Sequence, residues 1–150
     1  MTNGIPKLNF IVPGDPVGKG RPRFARGGKF VTTYTPDATT AYEHKVALYA
    51  KEAGAEPIAE HSVYLEIEAS FLPPKSKPKW WKELANKEQI SKTTKPDIDN
   101  IVKIVLDALN GIAYVDDCQV VEVGCIKKFS ANPRLEVHME YTPYPTRDMV

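Results

Sequence analysis

The chain has 150 residues, 42% of them apolar and 26% charged, and a formal net charge of +1. Those values are ordinary for a globular protein, and the length suits one domain burying about two thirds of its unfolded surface. No apolar run reaches the length of a membrane span and MTNGIPKLNF lacks a signal-peptide layout, so the expectation is a cytoplasmic protein with no membrane attachment.

KLNFIVPG reads as a first strand ended by Pro13-Gly14. DPVGKGRPRFARGGKF follows as a loop rich in Gly, Pro and Arg, with KFVTTYT as the returning arm of a hairpin. Pro36-Asp37 opens a helix to about Ala53, where Tyr42, Val46, Tyr49 and Ala50 recur at helical spacing and Gly54 closes it. HSVYLEIEASFLP alternates: Val63, Leu65, Ile67, Ala69 and Phe71 face one way and Tyr64, Glu66 and Glu68 the other, which marks a half-buried strand. PPKSKPKWWKELANKEQI starts as a loop and becomes a short helix around Trp80 to Lys87.

KPDIDNIVKIVLDALNG predicts a helix from roughly Asp99 to Asn110, stopped at Gly111. CQVVEVGCIKKF and RLEVHMEYT read as strands joined by the turn SANP, and residues from about 142 to 150 as a loose tail. The order makes one α+β domain over 1–150, a mixed or mainly antiparallel sheet packed with two main helices. Cys118 and Cys125 show no C-x-x-C spacing. If they share a strand, their odd separation points them to opposite faces, so both are read as reduced thiols without zinc. His44, His61 and His138 fall in helix or strand patterns far from the acids, where structural roles suffice.

Charge is unevenly spread. Lys19, Arg21, Arg23, Arg26 and Lys29 form a basic stretch with no acid, and Lys75, Lys77, Lys79, Lys82, Lys87, Lys92 and Lys95 face only Glu83 and Glu88. Between them and the C-terminal strands, Asp97, Asp99, Asp107, Asp116 and Asp117 surround the single Lys103. Basic surface around a compact acidic centre suits a polyanion partner, because binding follows local potential and not total charge.

The aspartates have an ordinary explanation. Asp97 or Asp99 can cap the helix, and Lys103 lies four residues from both Asp99 and Asp107, the spacing of surface ion pairs. Against this, Ile101, Val102, Ile104, Val105, Leu106, Ala108 and Leu109 make most of the helix apolar, which confines the charges to one face at a cleft edge. YVDDCQV adds a second acidic pair shortly after the helix. Crowded carboxylates are unfavourable without a cation, and hard oxygen donors suit Mg²⁺ or Mn²⁺. An EF-hand counted from Asp97 fails, since Ile101 and Val102 stand where a ligand and a glycine are needed. A P-loop at Gly14 to Lys19 is one residue short and has Gly20 where Ser or Thr is required.

With these residues assembled, the chain resembles the RusA family of Holliday junction resolvases, small endodeoxyribonucleases. The resemblance rests on KPDIDNIVKIVLDALNG followed by YVDDCQV, with a weaker likeness in GKGRPRF and TPDATTAYEHKV. It implies a homodimer acting on four-way DNA junctions with Mg²⁺, Mn²⁺ able to substitute, and no small-molecule cofactor. It also implies that Asp97, Asp99 and Asp117 are the essential acids and metal ligands, with Asp116 supporting them, and that Lys103 is the essential lysine. Asp107 matches too, and a structural role is expected for it: pairing with Lys103 or holding the following loop. Lys103 would then stabilise charge developing on the scissile phosphate.

DNA binding is expected from Lys19, Arg21, Arg23, Arg26 and Lys29, and from Lys75, Lys77 and Lys79. The neighbouring Trp80 and Trp81 suit either base stacking or a core or dimer contact. Two rival readings share these features: a less selective branched-DNA or flap nuclease, and a non-catalytic DNA-binding module.

Overall fold

The computed structural model describes residues 6–20, 23–27, 30–34 and 37–150, with side chains described outside 21–36. Strand β1, Lys7–Pro13, buries Leu8, Phe10 and Val12 at every second position. β2, Arg23–Gly27, and β3, Phe30–Tyr34, form a separate antiparallel hairpin. Helix α1, Asp37–Glu52, buries Thr39, Tyr42, Val46 and Ala50 along one face. β4, His61–Phe71, buries the Val63, Leu65, Ile67, Ala69 and Phe71 set that its alternation marks. α2, Lys79–Asn86, and α3, Ile98–Leu109, come next, then β5, Val120–Phe129, and β6, Arg134–Pro143.

The sheet order is β1-β6-β4-β5. β6 pairs antiparallel with β1 and β4, whereas β5 runs parallel to β4. A parallel neighbour needs a crossover connection, and α2 and α3 supply it. α3 packs against α1 and β5, burying Ile101, Ile104, Val105, Ala108 and Leu109 in one α+β core shared by sheet and helices.

Three expectations are adjusted. Asp117–Gln119 forms a single 3₁₀ turn before β5, so Cys118 is exposed on that turn and not on the strand with the half-buried Cys125. Both thiols are free. β6 continues to Pro143 and the Tyr144 amide donates to the Glu60 carbonyl at 3.0 Å, so the C-terminal segment is tied to the sheet further than residue 142. Finally, the tryptophans divide: Trp81 packs edge-on against Phe129 with centroids 5.0 Å apart, while Trp80 is 63% exposed. No helix of the described residues is long and apolar enough to cross a membrane.

Candidate active site

α3 starts where its sequence directs. Asp97 is the N-cap residue, with extended backbone, and its carbonyl accepts from the Asn100 and Ile101 amides at 3.1 and 3.2 Å. Its carboxylate makes no capping hydrogen bond, so capping does not consume this side chain. The apolar residues of α3 turn into the core and leave Asp99, Lys103 and Asp107 along its outer edge. With Val102, Leu106, Asp117 and Val123 they line one depression of about 600 Å³. Asp97 opens instead onto a neighbouring depression with Gly18, Lys19, Lys95, Pro96 and Asn100. Asp116 is exposed and lines neither.

The acidic turn is fixed by two residues to which the sequence reading assigned no role. Asn110, the C-cap of α3, accepts the Asp117 amide on its side-chain oxygen at 3.0 Å. Gln119 is buried and uses both ends of its amide. Its oxygen accepts from the amides of Val115 and Asp116 at 2.9 and 3.0 Å, and its nitrogen donates to the carbonyls of Ile58 and His61 at 3.0 and 2.9 Å. The available signal was the polar pair itself, an Asn at the helix end and a Gln leading into a strand.

Among the described residues no three His, Cys, Asp or Glu side chains gather closely enough to hold a metal ion. Of the three acids expected as ligands, Asp97 opens onto the neighbouring depression, which leaves Asp99 and Asp117 as the pair that shares one. The chemistry of the shared depression still fits Mg²⁺ or Mn²⁺. Asp99 and Asp117 offer hard oxygen donors, and Mg²⁺ commonly takes one or two carboxylates, keeping the rest of its shell for water and substrate phosphate.

The basic residues take different places. Asp107 pairs with Lys19, Nζ to Oδ2 at 3.1 Å, and not with Lys103 as the spacing suggested. Lys19 is also bonded to Glu43, so this member of the expected DNA-binding set is turned inward to two carboxylates. Burial pulls the Lys19 ammonium pKa down, but the hydrogen bonds to Glu43 and Asp107 outweigh it and hold the value above the ordinary one. Lys103 is exposed and, among the described residues, has no carboxylate within ion-pairing distance.

Lys75, Lys77 and Lys79 are exposed, with the Lys77 ammonium 5.0 Å from the Trp81 ring centroid. Arg23 and Arg26 belong to the backbone of β2. Their side chains, and Arg21 and Lys29 altogether, lie outside the described residues. Of the histidines, His61 bonds the Ala59 carbonyl at 2.8 Å and His138 bonds the Asn9 side chain, both away from the acids.

The family model described as endodeoxyribonuclease RusA matches residues 13–140. The chain is also similar to a Bacillus subtilis (strain 168) protein called uncharacterized protein YqaN. The two are 41% identical over 133 residues, covering 87% of this chain and 93% of that one.

Proposed function

Since the chain belongs to the RusA endodeoxyribonuclease family, we propose that it is a Mg²⁺-dependent, homodimeric enzyme that resolves four-way DNA junctions in the cytoplasm during recombination or repair. The observation that carries this reading is the shared depression, lined by Asp99, Asp117 and a Lys103 that has no acidic partner within ion-pairing distance among the described residues. Asp99 and Asp117 would hold the divalent ion, with Asp97 and Asp116 at the margins of the site. When bound, the ion supplies neutralising charge for the phosphodiester oxygens.

The chain's own residues do the rest. Lys103 places an unpaired ammonium where a phosphate entering the depression acquires extra negative charge in the transition state, the point at which a fixed cation is most effective. Asn110 and Gln119 hold the backbone of the acidic turn, so Asp117 needs little reorganisation to engage substrate. Lys75 and Lys79, with the described part of the hairpin, supply contacts to the DNA backbone, which position without specifying sequence. Two-fold symmetry suits a junction, because each subunit then faces one of two equivalent strands.

The deciding assay compares wild type and Asp99→Asn on a labelled four-way junction and on linear duplex. The variant is expected to bind the junction and cut neither DNA with Mg²⁺ present. Persistent cutting removes Asp99 from the site, and equal cutting of duplex by the wild type overturns junction selectivity. Sedimentation is expected to give a dimer, and a strict monomer contradicts the symmetric scheme.

A further inference from the structure

Lys103 and Asp107 stand four residues apart on α3 and line the same depression, the arrangement in which ion pairs ordinarily form. They do not pair, because Asp107 is bonded to Lys19. The segment bringing Lys19 there is held at consecutive residues. A Cβ on Gly18 would lie 2.7 Å from Cβ of Pro96 and 3.3 Å from Cβ of Asn100, so only glycine lets the chain pass this close to the start of α3. The Lys19 amide donates to the Asn100 carbonyl at 2.8 Å and the Gly20 amide to Oγ1 of Thr39 at 3.0 Å. From Asn100 the Lys19 side chain reaches along α3 to Asp107, with 17% of it exposed and Glu43 of α1 on its ammonium. A lysine serving solvent or DNA needs no such anchorage.

Resting on the reading of Lys103 as the phosphate-facing cation, we propose that Lys19 is a positioning residue: it neutralises Asp107 and keeps that carboxylate off Lys103, leaving the Lys103 ammonium free for substrate. A plain strut joining the loop to α1 and α3 would have the same bonds. The two roles differ in what happens to Lys103 once Lys19 is gone.

The test measures the acetylation rate of Lys103 by an amine-reactive ester, resolved by mass spectrometry, on full-length protein without DNA and with chelator present. In Lys19→Met the rate is expected to fall about two- to fivefold as Asp107 turns to Lys103, the size of a half-exposed ion pair. Lys19→Met with Asp107→Asn is expected to return to the wild-type rate, whereas Lys19→Met with Glu43→Gln is not. Lys19→Arg, which keeps the cation, is expected to label like wild type. Lys19→Gln replaces Lys19→Met if the latter does not fold.

Junction cleavage is expected to follow the same order, falling about tenfold in Lys19→Met and recovering in the double variant with Asp107→Asn. Wild-type labelling of Lys103 in Lys19→Met overturns the proposal, as does failure of Asp107→Asn to restore it. If the wild-type chain cuts no branched DNA, the nuclease reading falls and the labelling comparison still decides what Lys19 does.

Discussion

The side-chain oxygen of Asn110 accepts a hydrogen bond from the Asp117 amide at 3.0 Å, joining the end of α3 to the acidic turn. Through it, a residue at the helix terminus sets where the second acid of the depression stands. Asn110→Ala removes the tether without altering any carboxylate. The expected result is a cleavage rate lowered about tenfold, with junction binding unchanged and a stability cost of about 1 kcal/mol. Single-turnover cleavage beside competition binding measures both, and a wild-type rate removes Asn110 from the argument.

Gln119 satisfies four backbone groups at once, two amides through its oxygen and two carbonyls through its nitrogen. Gln119→Ala leaves those groups without these partners in a partly buried turn. Unfolding in urea is expected to show a loss of at least about 2 kcal/mol, since each buried orphan costs about 1–3 kcal/mol. A loss below half that value means water replaces the side chain with little penalty.

Glu88 joins the loop after α2 to the ends of β5 and β6. Lys128 contacts it at 2.8 Å, Arg134 at 3.2 Å and the Ser130 hydroxyl at 2.9 Å. Hydrogen bonds from Lys128, Arg134 and Ser130 lower its carboxyl pKa from 4.5 to about 2. A depressed folded-state value means that acid favours the unfolded chain. The contribution is therefore complete above pH 4.5, declines as pH falls and is gone below about 2. Thermal unfolding of wild type and Glu88→Gln across this window should show their difference shrinking steadily toward low pH. A constant difference excludes Glu88 as the titrating group.

The exposed Trp80 and the packed Trp81 give opposite expectations. Trp81→Ala should cost about 2–3 kcal/mol by opening a gap against Phe129. Trp80→Ala should change stability by less than about 0.5 kcal/mol while weakening junction binding. Urea unfolding and salt-dependent binding separate the two, and unchanged binding in Trp80→Ala leaves that ring without a DNA role.

Local pattern was legible in the sequence wherever one face of an element is buried and the other is not. The alternation of Val63 to Phe71 and the apolar set of α3 both survive in the folded chain within a residue or two. Partners far apart in sequence were not legible. Spacing on the helix favours Lys103 for Asp107, and nothing in the pattern announces that Lys19 arrives from the N-terminal loop to take that place. The parallel pairing of β4 with β5 was hidden for the same reason, because alternation gives the face of a strand and not its neighbour. Cys118 was misplaced because a short 3₁₀ turn carries no periodic signature. For the acids, motif order groups Asp97, Asp99 and Asp117, whereas in the fold Asp97 at the N-cap opens onto one depression and Asp99 and Asp117 share the next.

The sheet order has a consequence for synthesis. β1 has β6 as its sheet neighbour, and β4 has β6 on one side, so a central strand is the last of the four to leave the ribosome. Until then β1 has no partner in this sheet and β4 has only β5, both with exposed apolar faces that invite wrong pairings. Final closure therefore waits for pairings between distant parts of the chain, the slow kind. A nascent chain halted before Arg134 could build α1, α3 and the acidic turn locally, yet it would have no completed sheet on which to hold them. The depression beside α3 thus rests on a sheet whose central strand joins it last of the four.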